Sequence, residues 1–326
     1  MLLKKAHIDQ MNFLGTAGEP FLFVIDFEGL NPIICKLDET PDSIRISTPG
    51  YNPGFKSQPV KDRISLTKHP MPYPEYLEAF GKVMQHLRQG NSYLVNLTFP
   101  TPVDTGLTLE DIFEVSEAPF KLLIKNKFVV FSPESFIRIS GRSISSHPMK
   151  GTIDATLPHA RETILNDPKE SAEHNTIVDL IRNDISKVAE QVEVARFRYF
   201  DHIVTNDSEF LQVSSEIRGL LPADYKKQIG SIIDALLPAG SISGAPKKRT
   251  LEIIREAETK PRGYYTGVFG IFDGQNLESA VMIRFIEQTE TGLRYRSGGG
   301  ITHMSDPEAE YQEMLDKVYL QVTGDK

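Results

Sequence analysis

The sequence predicts an α+β protein built on antiparallel sheets. Two observations carry this. Strand-like segments come in meander-like groups separated by polar turns such as Asp273-Gly274. Helical segments do not alternate with them regularly, as a doubly wound parallel sheet would require. The first 70 or so residues read as short strands, such as Phe21–Phe27, followed by Pro- and Gly-rich loops from Thr48 to Pro59. Leu77, Phe80, Met84 and Leu87 stand at helical spacing and predict a helix near Tyr76–Gln89, with Gly90 as its stop. Tyr93, Val95, Leu97 and Phe99 alternate with Leu94, Asn96 and Thr98, which is a strand pattern. Lys127–Phe131 and Phe136–Ile139 predict two more strands. A long helix is expected from about Lys169 to Val188, and another from Pro246 carrying Leu251, Ile254 and Ala257. Strands follow near Val268–Phe272, Ser279–Phe285 and Leu293–Ser297, and a last helix opens at Pro307. The expected division is a strand-rich N-terminal region, 1–72, packed on a main domain, 73–326.

Composition narrows the function classes. With 326 residues, 40% hydrophobic and 25% charged, the chain can bury a sizeable core. Its longest apolar run, Phe21 to Ile25, is far too short to cross a bilayer, so no membrane association is expected. Met1-Leu2-Leu3-Lys4-Lys5 leads into polar residues rather than a signal-peptide core, and the expected location is cytoplasmic. The net charge is −8 and no basic stripe stands out, which argues against nucleic acid as a partner. One cysteine, Cys35, excludes an intrachain disulfide and a Cys-based metal cluster.

Two Glu-x-x-Glu steps form the main chemical signal. Glu170 and Glu173 lie one helical turn apart, and their stripe continues to Ile177 and Ile181, so the acidic face also points toward the core. Glu310 and Glu313 repeat the step, with Lys317 and Leu320 further along. Like charges near a core are unfavourable unless a cation lies between them. An oxygen-only donor set suits a hard cation, with Mg²⁺ the natural choice. His174 follows Glu173 directly and points about 100° away around the helix. Either pair alone also fits a solvated first helical turn, where Glu favours the dipole.

Ser146-His147-Pro148-Met149-Lys150-Gly151-Thr152 places a lysine between a proline and a flexible glycine, a pattern that equally fits a surface turn. Lysine becomes a nucleophile only when its surroundings lower its pKa. The Gly/Ser loop from Ala239 to Lys247 feeds a helix N-terminus able to offer N–H groups to an anion, and it lacks the Gly-Lys-Ser/Thr ending of a Walker A loop. Ser297-Gly298-Gly299-Gly300 ends a strand, where missing side chains would let a ligand approach the backbone.

Taken in order, these segments resemble the chorismate-utilising enzymes, which include anthranilate synthase component I, aminodeoxychorismate synthase component I and the isochorismate and salicylate synthases. The resemblance runs from about Gly90 to Lys317. It is carried by Ser132-Pro133-Glu134, Pro148-Met149-Lys150-Gly151-Thr152, and Ala172-Glu173-His174 leading to Val178-Asp179-Leu180-Ile181-Arg182-Asn183-Asp184. It continues through Pro238 to Lys247, Arg262-Gly263-Tyr264-Tyr265, Ile283-Arg284 and Asp306-Pro307-Glu308-Ala309-Glu310. The resemblance implies two antiparallel sheets packed together with helices outside. It also implies Mg²⁺ held by Glu173 and Glu313, with Glu170 and Glu310 as direct or water-mediated partners. Arg284, Lys317, Tyr265, Gly151, Thr152 and the amides of Gly298, Gly299 and Gly300 would hold the substrate carboxylates.

Within the family, Lys150 matches the aminodeoxychorismate branch, where the anthranilate branch has Ala. The implied chemistry is attack of the Lys150 amine on C2 of chorismate as the C4 hydroxyl leaves, with Glu134 as the acid, followed by ammonia at C4. Leu94 stands where water-using relatives need a lysine base and ammonia-using ones usually have Gln. Phe285 replaces a common Thr, and Gln212 falls where many relatives carry a His. Cys35 is not in a Gly-x-Cys-x-Gly setting, so a separate class I glutamine amidotransferase is the expected ammonia-supplying partner. Release of 4-aminobenzoate would need another enzyme, and folate biosynthesis is the implied pathway. The rivals are anthranilate synthase component I, with Lys150 a bystander, and a non-catalytic chorismate-binding or assembly subunit.

Overall fold

The computed structural model describes residues 2–55, 65–204 and 209–320; the expected Pro- and Gly-rich loop lies outside the described residues from position 56 on. Two antiparallel sheets form the body, as expected. The first has nine strands, in the order Met149–Asp154, Glu209–Leu220, Ser143–Ser146, Ser135–Ser140, Leu277–Val281, Val268–Phe272, Phe21–Ile25 and Ile33–Lys36, with Glu190–Val204 also paired to Glu209–Leu220. The second has eight, from Gly244–Ala245 through Leu94–Asp104, Gly292–Ile301, Phe285–Thr289, Phe128–Ser132 and Phe120–Ile124 to Ile44–Ser47, with Thr67–Lys68 paired to Leu94–Asp104.

The apolar runs show how the layers stack. All five residues of Phe21–Ile25 are buried, because each face of that strand meets a different layer. Leu22 and Val24 join Ile46, Leu122, Val130 and Phe285 between the two sheets. Phe21, Phe23 and Ile25 face the opposite way, into a core shared with the flanking helices. Beyond the second sheet, Leu123, Val129 and Phe131 pack with Ile112 and Phe113 of the Leu109–Val115 helix.

Several expectations shift by a few residues, and some fail. The Tyr73–Arg88 helix buries Tyr76, Phe80, Val83, Met84 and Leu87, whereas Leu77 is exposed on its outer side. The single strand expected over Ser279–Phe285 is two strands in different sheets, Leu277–Val281 and Phe285–Thr289. Arg284 makes the crossing at φ +51°, a left-handed conformation that breaks the extended run between the two strands. Gly298, Gly299 and Gly300 lie inside the Gly292–Ile301 strand rather than beyond its end, opposite Thr98, Leu97 and Asn96. The helices Lys5–Ala17 and Ile229–Leu236, which pack together, are additions to the expected elements, as is the long Glu190–Val204/Glu209–Leu220 hairpin.

Two helices matter for the site. Pro168–Ile185 begins with Pro at N1 and with the Asp167 side chain accepting from the Glu170 N–H at 2.9 Å. Pro307–Asp316 repeats the arrangement, Asp306 accepting from the Ala309 N–H at 2.9 Å. These caps fix where each helix starts and therefore where the first-turn glutamates stand. No helix among the described residues is long and apolar enough to cross a membrane.

Candidate active site

The Met149–Asp154 strand lies at an edge of the first sheet, and its register against Glu209–Leu220 breaks between Met149 and Thr152. Gly151 stands in that break at φ +85°, where a side chain would be strained and a Cβ would come within 3.1 Å of Glu170 Oε2. Lys150 reaches inward from the same irregularity, its Nζ 3.4 Å from Glu173 Oε2. Thr152 is exposed, and directly across from it on the neighbouring strand is Gln212.

The two acidic helices meet at one point. Glu173 and Glu310 are buried and Glu313 partly so. Between them lies an ammonium the sequence reading did not single out. Lys169 Nζ is 2.7 Å from Glu310 Oε1 and 3.8 Å from both Glu173 Oε1 and Glu313 Oε2. Burial opposes its charge, but the hydrogen bond to Glu310 and the surrounding carboxylates outweigh burial and hold the lysine protonated. Lys317 Nζ donates to Glu313 Oε1 at 2.6 Å and to the Gly298 carbonyl at 3.0 Å. Glu170 faces Gly151 instead of Lys169; burial and Glu173 raise its pKa.

The glycine strand forms a wall of this cluster. A Cβ on Gly299 would lie 3.2 Å from Glu310 Oε2, and one on Gly300 would lie 3.0 Å from Leu94 Cδ1, 3.1 Å from Glu173 Oε2 and 3.3 Å from Lys150 Nζ. Gly298 is required for a different reason, since a Cβ there would collide with the Leu97 carbonyl. Arg284 donates to the Lys317 carbonyl and to the Tyr319 hydroxyl, both at 3.0 Å. Tyr265 is buried against Phe285, with Arg296 over its ring, and burial pushes its phenol up to about 12. No hydrogen bond among the described residues joins Thr152 or Tyr265 to the acidic cluster. Phe285 packs between Phe128 and Tyr265, a core role.

Glu134 is buried beside Lys150 and Lys317. Desolvation raises its pKa, opposed by the nearby Ser241 hydroxyl and by the two lysines. Its carboxyl is thereby biased toward the protonated form that a general acid needs. Burial would lower the pKa of Lys150, but Glu173, Glu313, Glu134 and Glu170 reverse the balance and keep the amine charged.

No three acidic side chains among the described residues close on a single metal-sized point, because the Lys169 ammonium lies between them. The donor set nevertheless fits a hard cation. It is all carboxylate, buried Glu310 Oε2 has no hydrogen-bond partner among the described residues, and the bare backbone at Gly299 leaves that oxygen open on that side. Besides Lys169, sequence reasoning passed over Ser241, Ser305, which donates to Glu310 Oε1 at 2.7 Å, and Tyr319. Lys169 lies four residues before Glu173 on the acidic stripe, a spacing that alone does not tell a buried ammonium from a solvated one.

Fold and site together define an α+β protein with a buried acidic and lysine-rich cluster walled by a glycine strand. The chain belongs to the chorismate binding enzyme family, whose model it matches over residues 33–322. A Haemophilus influenzae relative described as an uncharacterized PabA-like protein is 50% identical over 97% of both chains. Aminodeoxychorismate synthase component 1 of Klebsiella aerogenes is 33% identical, covering 81% of this chain and 61% of its own. Anthranilate synthase component 1 3 of Haloarcula marismortui is 35% identical, covering 76% and 51% respectively. The solved structure of a putative 2,3-dihydroxybenzoate-specific isochorismate synthase from Bacillus anthracis shares the fold, with a TM-score of 0.72 at 18% identity over 96% of this chain and 88% of that one.

Proposed function

We propose that this chain converts chorismate and ammonia to 4-amino-4-deoxychorismate, with ammonia supplied by a separate glutamine amidotransferase, in the route to 4-aminobenzoate and folate. The observation that carries the reading is Lys150 Nζ, held beside Glu173 and facing the open backbone of Gly300. Similarity to the Klebsiella aerogenes aminodeoxychorismate synthase component 1 supports it.

The chain's own groups would act as follows. Arg284 and Lys317 hold substrate carboxylates, and the bare strand at Gly298–Gly300 lets the ring lie close to backbone N–H groups. The unprotonated Lys150 amine adds to C2, both ring double bonds shift (C1=C2 to C1=C6 and C5=C6 to C4=C5) and the C4–O bond breaks. Glu134 gives its proton to the departing hydroxyl, which leaves as water. Ammonia then forms the C4–N bond, both ring double bonds shift back and the C2–N bond to Lys150 breaks, restoring the amine. Mg²⁺ held by Glu173, Glu310 and Glu313, with Glu170 nearby, would supply positive charge for the ring carboxylate and offset the carboxylates that now keep Lys150 protonated. Leu94 flanks Lys150 across Gly300 and offers no base to activate water.

Similarity to the Haloarcula marismortui anthranilate synthase component favours a second reading, release of anthranilate with Lys150 a bystander. Mass spectrometry of Lys150 after mixing with chorismate and Mg²⁺, without ammonia, separates the two. A covalent adduct on that residue supports the proposal. Unmodified Lys150, together with full turnover by Lys150→Ala using glutaminase-derived ammonia, refutes it.

A further inference from the structure

We propose that Lys169 is a resident counter-cation, whose ammonium holds the carboxylates of Glu173, Glu310 and Glu313 together without metal and withdraws when Mg²⁺ enters. The inference rests on the proposed metal role of those carboxylates and concerns a residue that role does not include.

Burial makes such a group necessary. The side chains of Glu310 and Glu173 are 1% and 6% exposed, and they come from helices that begin about 140 positions apart in the chain. Facing one another without a cation, they would suffer both desolvation and repulsion. Lys169 joins the helices directly, being four residues before Glu173 on one helix and hydrogen-bonded to Glu310 on the other. Its own side chain is 29% exposed, so rotation about its flexible stem can carry the ammonium to water.

Charge counting sets the same requirement. Three ammonium groups, Lys150, Lys169 and Lys317, face four carboxylates, Glu170, Glu173, Glu310 and Glu313, which leaves one negative charge in excess without metal. Adding a divalent cation with Lys169 still in place would leave excess positive charge. With Lys169 withdrawn, Mg²⁺, Lys150 and Lys317 bring four positive charges against the same four carboxylates. Metal and ammonium therefore compete for the same oxygens. The competition keeps the two helices docked when metal is scarce, at the expense of metal affinity.

The test uses the metal-stripped full chain, titrated calorimetrically with MgCl₂ and melted with and without saturating Mg²⁺. The variants are Lys169→Met, Lys169→Gln, which retains a hydrogen-bond donor for Glu310, and Lys150→Met. Lys150→Met removes the same unit charge from Glu173 without bridging the helices. Both Lys169 variants should bind Mg²⁺ at least about tenfold tighter than the parent, the scale of one lost charge-assisted hydrogen bond. Their melting temperatures should fall without metal and return to the parent value with it, while Lys150→Met gains clearly less affinity. Unchanged or weaker Mg²⁺ binding in both Lys169 variants would overturn the inference while leaving the metal site standing. An equal gain in Lys150→Met would reduce the effect to general charge, and parallel melting losses with and without Mg²⁺ would make Lys169 a strut. Absence of Mg²⁺ binding in the parent and every variant would remove the metal reading and the inference together.

Discussion

Glu134→Gln should separate catalysis from stability in opposite directions. The carboxyl is buried, with the Ser241 hydroxyl, Lys150 and Lys317 near, and desolvation holds its pKa above the usual carboxylate value. Between its unfolded pKa of 4.5 and its higher folded value, the native state keeps a proton that the unfolded chain has lost. Stability contributed by Glu134 is therefore greatest below pH 4.5 and declines as pH rises toward the folded pKa. Each unit of elevation corresponds to about 1.4 kcal/mol. Glutamine keeps the shape but carries no proton to lose. Urea unfolding at a series of pH values should show the variant gaining on the parent as pH rises above 4.5. Turnover should move the other way, with kcat falling about 10²- to 10⁴-fold and KM little changed, the usual scale for losing a general acid. Parallel stability profiles would refute the pKa argument. Unimpaired kcat would refute the acid role.

Three further perturbations test other parts of the site and frame. Gly300→Ala puts a methyl 3.1 Å from Glu173 Oε2 and 3.3 Å from Lys150 Nζ; turnover should drop about 10²-fold and stability by about 1–3 kcal/mol, measured by steady-state kinetics and urea unfolding. Glu313→Gln leaves the helix intact but removes one carboxylate, and Mg²⁺ titration should show affinity weakened by more than the roughly tenfold typical of outer-shell changes. Arg262→Met strands the buried Glu258 carboxylate, which now receives Arg262 at 2.6 Å and the Thr98 N–H at 2.8 Å. Denaturant midpoints should show a loss of about 3–5 kcal/mol.

The two glutamate pairs could be read from residue spacing, while the roles of Lys150, Glu134 and Arg284 were expected only from the family resemblance. The i,i+3 glutamates fix a shared face whatever the tertiary structure, and the proline and aspartate caps place that face at a helix start. The sheets were legible where apolar residues alternate, as in Leu94–Asp104, or run unbroken, as in Phe21–Ile25. The hairpin from Glu190 to Leu220 was not, because it carries many charged residues and its register shifts three times, blurring the period of two. The Ser279–Phe285 segment reads as one strand because apolar residues run from Ala280 to Ile283 and resume at Phe285; the crossing at Arg284 is a backbone event without a Gly or Pro marker. Lys169 was hidden by its type. A lysine beside a first-turn glutamate is usually solvated, and only the approach of the second acidic helix draws this one inward.

The most direct test of the proposed reaction is mass spectrometry of the product formed from chorismate, Mg²⁺ and ammonium salt. The account predicts 4-amino-4-deoxychorismate with its enolpyruvyl group intact. Anthranilate with pyruvate would contradict it, assigning the chain to the other ammonia-using reaction and leaving Lys150 without a chemical role.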